Sequence, residues 1–90
     1  MRWTEVLMSI TNERRRQDRL CDEGRFEHTC ASPCLTERQR FLILAEEVGE
    51  VARAIQDSAR ADSDENTTHL RDELVQVAAV CAAWLETFDL

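Results

Sequence analysis

Two short stretches of the chain carry the same acidic pattern. Leu44-Ala-Glu-Glu-Val-Gly-Glu-Val-Ala52 and Leu70-Arg-Asp-Glu-Leu-Val-Gln-Val-Ala78 both read Leu, any residue, an acid, Glu, two residues, Glu or Gln, Val, Ala. On a helix turning ~100° per residue, Glu50 projects ~40° from Glu46 and ~60° from Glu47, so the three acids share one arc beside the apolar stripe. The same geometry gathers Asp72, Glu73 and Gln76 on one arc of a later helix. If the two helices pack as antiparallel neighbours, the arcs face each other across a cleft. Carboxylates brought together in this way repel, and burial strengthens the repulsion. The nearest basic residues in sequence are Arg53 and Arg71, too few to neutralise the cluster. A hard divalent cation resolves the conflict, and an all-oxygen donor set selects Mg²⁺, with Mn²⁺ as the other candidate. The competing reading is a solvated acidic face, the usual fate of a charge run. The recurrence of the pattern one helix later favours the metal site.

These residues need three helices to position them. The first is predicted from about Thr4 to Leu20, capped by Thr4, with Trp3, Val6, Leu7 and Ile10 at helical spacing. Gly24, Pro33 and the small residues 29–32 mark a loop. Thr36 starts the second helix, and Thr36-x-x-Gln39 fits a capping box. Phe41, Leu44, Ala45, Val48, Val51, Ala52 and Ile55 form its expected buried stripe. A polar turn is expected over 62–66. The third helix is predicted over 67–87, with Leu70, Leu74, Val77, Cys81, Trp84 and Phe88 on a 4-3-4-3-4 seam. Between Leu74 and Leu85 only Gln76 is polar. A helix apolar nearly all round must be buried on several sides, so the third helix is expected to pack against a second copy of the chain. The expectation is therefore a single all-α domain over 1–90, a helical bundle completed by homo-oligomerisation as a dimer or tetramer. A monomeric three-helix bundle is the alternative.

Composition narrows the function classes. The chain has 90 residues, 43% hydrophobic and 32% charged, with only 2 Gly and 1 Pro to make turns. The net charge is -7, and all 11 basic residues are arginine. Residues 1–36 balance their charges, and the whole excess lies in 37–90. Such a field repels nucleic acid and bare phosphates unless a cation intervenes. The absence of lysine excludes Schiff-base chemistry and a P-loop. No stretch reads as a membrane span or a signal peptide, so a cytoplasmic location is expected, with no membrane and no nucleic-acid partner. Cys21, Cys30, Cys34 and Cys81 read as reduced thiols, although a Cys30–Cys34 disulfide is sterically conceivable; paired CxxC spacing for zinc is missing.

The stretches LAEEVGEVARA and LRDELVQVAAVCAAWL resemble MazG-type nucleoside triphosphate pyrophosphohydrolases, whose signature is Glu-Glu-x-x-Glu followed, a helix later, by Glu-x-x-Asp. The resemblance spans about 10–88 and includes Glu13-Arg-Arg-Arg-Gln17 and the loop to His28. It implies an all-α fold and Mg²⁺-dependent hydrolysis between the α- and β-phosphates, releasing a monophosphate and pyrophosphate. The substrates implied are nucleoside triphosphates, with removal of non-standard nucleotides a possible role. Glu47, Glu50 and Glu73 are then the expected metal ligands, and Glu46 or Glu47 the base that orients and deprotonates water. Gln76 stands where the family has Asp, so it would be a neutral ligand or a group behind the ligands. Arg14, Arg53, Asp72 and His28 are the candidate substrate contacts. For Arg14 to Arg16 and Arg19 the competing reading is a solvated face paired with Glu13 and Asp18. Gly49, within a helix, points either to close approach of a ligand or facing helix, or to ordinary packing. The rival function is a non-catalytic helical dimerisation or regulatory module that still binds nucleotide.

Overall fold

The computed structural model describes residues 1–60 and 64–88. Three helices make an all-α architecture: α1 (Trp3–Asp22), α2 (Glu37–Arg60) and α3 (Asp64–Leu85). The turn expected over 62–66 lies partly outside the described residues, and α3 begins three residues earlier than the sequence suggests.

Local chemistry fixes the helix ends. Thr36 and Gln39 form a reciprocal capping box: the Gln39 amide donates to Thr36 Oγ1 at 3.1 Å, and the Thr36 amide donates to Gln39 Oε1 at 2.8 Å. At the other end of the loop, Gly24 adopts φ 76° and closes α1. Its amide donates to the Cys21 carbonyl, and the Arg25 amide to the Leu20 carbonyl, the paired bonds of a Schellman motif. The start of α1 differs from expectation. Arg2, not Thr4, is the N-cap, and no side chain caps it.

α3 lies at the centre. It packs on α2 along one side and on α1 along another, and among the described residues the backbones of α1 and α2 do not come within 8 Å of each other. α2 and α3 are antiparallel. Trp84 Nε1, near the end of α3, donates to Glu37 Oε2 at the start of α2, at 3.0 Å. Small residues let the helices approach: Ala54 on α2 and Ala79, Val80 and Ala83 on α3 are buried, with Leu20 and Cys30 from the first third of the chain. Trp84, Ile43 and Leu44 flank this core.

The buried line of α3 is therefore not the expected seam. Leu74 and Phe88 are exposed, while Glu73 and the alanines take the interior. On α2 the predicted stripe divides. Leu44 and Val51 are half-buried on the α3 side, whereas Phe41, Val48 and Ile55 remain 59%, 51% and 53% exposed. A single neighbouring helix cannot cover so wide an apolar arc. The outcome is an open array with no fully buried large side chain among the described residues. Its radius of gyration is 14.1 Å, above the ~12 Å of a compact domain of this length.

The loop between α1 and α2 is held by a buried cation. Arg40 Nε donates to the Cys30 carbonyl at 2.9 Å and Nη2 to the Ser32 carbonyl at 2.8 Å, while Nη1 meets Glu37. All four cysteines are free thiols. Cys30 sits in the core, where burial pushes its thiol pKa up and makes it unreactive.

Candidate functional site

The antiparallel pairing of α2 and α3 brings the two acidic arcs together at Glu47 and Glu73. Glu73 is buried, 8% exposed, and Glu47 is half-buried. Each has one carboxylate oxygen that is shielded from solvent and has no hydrogen-bond partner, Oε2 in both cases. Burial raises the Glu47 carboxyl pKa first, and the charges of Glu73, Glu50, Glu13 and Glu46 raise it further. His69, one turn before Glu73 on α3, stands 3.9 Å from its other oxygen. Buried carboxylate oxygens left unsatisfied in this way are costly to fold.

The other expected ligands are placed differently. Glu50 is half-buried and lies 3.9 Å from Arg53, which is itself mostly exposed on the outer side of α2. Glu46 is exposed. Asp72 and Gln76 turn towards α1, where they line a groove that opens between α1 and α3. Among the described residues no group of three acid, histidine or cysteine side chains stands ready to hold a metal ion. Carboxylate oxygens are the donors a hard cation takes, and Glu47 and Glu73 could supply two of them, leaving the remaining positions to water or substrate oxygen.

Arg14 is occupied. Its Nε and Nη2 meet the Glu86 carboxylate and its Nη1 meets Asp18, and its side chain is only 11% exposed. Burial works against the charge, but both carboxylates outweigh it and raise the pKa. Arg14 thus ties α1 to the end of α3. His28 is exposed in the loop and does not line the groove between α1 and α3. Gly49 has open space where a Cβ would stand, so within one chain nothing approaches it closely.

Glu13, read from the sequence as a partner for the α1 arginines and not as a member of the acidic site, also acts on that site. It comes from α1, its side chain is 14% exposed and paired with Arg16 at 2.8 Å, and its charge reaches Glu47. All three helices therefore contribute a carboxylate. The only signal in the sequence is that Glu13 falls three residues after Ile10, next to the buried side of α1.

No known protein family, curated protein or solved structure matches the chain. No helix among the described residues is long and apolar enough to cross a membrane.

Proposed function

We propose that this chain is a Mg²⁺-dependent nucleoside triphosphate pyrophosphohydrolase that works as a homo-oligomer. The observation that carries the reading is the Glu47–Glu73 pair, two carboxylates from facing helices, each with a shielded oxygen left without a partner. Glu47, Glu50 and Glu73 would hold the cation, which when bound supplies charge neutralisation for the phosphates. Glu46, solvent-exposed one residue away, accepts a proton from the attacking water as its oxygen bonds the α-phosphorus. The bridging oxygen leaves with pyrophosphate, and the nucleoside monophosphate remains. Gln76, turned towards the α1–α3 groove, offers a carboxamide oxygen but no charge.

The test is pyrophosphate release from a panel of nucleoside triphosphates with Mg²⁺. Turnover by the wild type and its loss in Glu47→Ala support the reading. A folded, Mg²⁺-supplied sample that turns over none of them removes the enzymatic claim.

Two observations favour a second reading, a nucleotide-binding module without catalysis: no three-ligand group is assembled among the described residues, and Gln76 lines the α1 side. Mg²⁺ titration separates the two. Binding by the wild type, tightened in Gln76→Asp, means a working metal site. Binding only in Gln76→Asp favours the module.

A further inference from the structure

The groove between α1 and α3 has about 780 Å³ of space, within the ~300–1,000 Å³ range of small-molecule sites. Its charge is opposite to that of the chain. Arg15, Arg16 and Arg19 from α1 and Arg71 from α3 line it, against the two carboxylates of Glu13 and Asp72. The protein as a whole carries -7, yet four of its 11 arginines converge here.

Two of these arginines have no counter-charge. Arg16 is paired with Glu13 and Arg71 with Asp72, whereas Arg15 and Arg19 form no ion pair among the described residues. They stand four residues apart on one helix face, where like charges repel. A bound anion would relieve that repulsion, and guanidinium forks match phosphate oxygens in pairs. The groove also borders the carboxylate pair. Glu13 lines it and acts on Glu47, and Gln76 lines it one turn beyond Glu73. The groove thus holds two arginines without an ion pair together with Glu13, the residue that acts on the carboxylate cluster.

We propose that the α1–α3 groove binds an oligophosphate, with Arg15 and Arg19 as the principal contacts and the far phosphates of the substrate as their natural ligand. The substrate class rests on the function proposed above; binding in the groove needs no hydrolysis. A strand of nucleic acid is disfavoured as occupant, because the acidic surface beyond the groove repels a long polyanion.

Calorimetric titration of sodium tripolyphosphate into the full chain, without divalent cation, tests this directly. Saturable binding at one site per chain is expected, weakening as salt is raised. The Arg15→Gln/Arg19→Gln double variant should lose affinity about tenfold or more, while Arg38→Gln, on an exposed face of α2 outside the groove, should not. Circular dichroism confirms that the variants are folded. Glu47→Gln should retain tripolyphosphate binding even if hydrolysis is lost, which separates failure of this site from failure of the enzymatic reading. Unchanged affinity in the double variant overturns the proposal. So does orthophosphate binding as tightly as tripolyphosphate, or preferential binding of a single-stranded oligonucleotide.

Discussion

Glu47 holds a carboxyl group whose charged form the fold disfavours, and this has a consequence in pH. Its pKa lies above the ordinary carboxylate value because of burial and of the neighbouring acids. Between the ordinary and the raised value the native chain holds more protons at this site than the unfolded chain does. The contribution of Glu47 to stability therefore falls as pH rises from ~4 towards neutral, opposite in sign to that of Glu37, whose pKa is lowered by its hydrogen bonds to Trp84 and Arg40. Glu47→Gln should flatten that slope and melt at a higher temperature than wild type at pH 7. Equal slopes in thermal melts of the two proteins would sink the interpretation. Saturating Mg²⁺ should raise the wild-type melting temperature and leave Glu47→Gln unmoved. At ~100-fold excess over its dissociation constant a ligand adds about 2.7 kcal/mol. Arg40 is the other residue with large leverage. Arg40→Met orphans the Cys30 and Ser32 carbonyls and should cost about 3 kcal/mol in denaturant unfolding, since hydrogen bonds from a charged donor are each worth roughly 1.5–3 kcal/mol. The paired Glu of the site was readable in the sequence because its pattern recurs. Arg40 was not, because an arginine in a first helical turn looks the same whether it meets solvent or a folded-back loop.

Helix ends and helix faces differ in how well sequence reveals them. The Thr36 box and the Gly24 turn rest on bonds between near neighbours, so spacing alone predicts both. Faces depend on what else the chain places nearby. α2 carries an apolar arc wide enough for two partners, and only the packed structure shows that α3 takes the half containing Leu44 and Val51. In the same way the α1 arginines were visible as a cluster, but which one ties the fold and which ones face a groove follows from the position of Glu86. Gly49 gives a test at this scale. With open space around it, Gly49→Ala should stabilise an isolated chain by about 1 kcal/mol. If a second copy packs its helix there, the substitution should instead weaken assembly, which equilibrium unfolding combined with sedimentation will distinguish.

Across the whole molecule, the uncovered residues Phe41, Ala45, Val48, Ala52 and Ile55 follow one another at 4-3-4-3 spacing on α2. That is the spacing of a seam between two helices, and it is the basis for proposing a homo-oligomer. Val48→Asp should reduce the sedimenting mass to that of one chain. A wild type that already sediments as a monomer at micromolar concentration would refute the assembly.

α3 packs on both other helices, and among the described residues the α1 and α2 backbones stay more than 8 Å apart. Loss of α1 would therefore leave the α2–α3 hairpin with its contacts intact, whereas loss of α3 would leave nothing paired. Backbone amides should record this hierarchy. Those of α1 should exchange with deuterium through a cheap local opening, and those in the middle of α3 only through complete unfolding. An anion lodged between α1 and α3 would bolt the loose helix to the central one, so its signature in exchange would be slow amides along α1 with little change in α2.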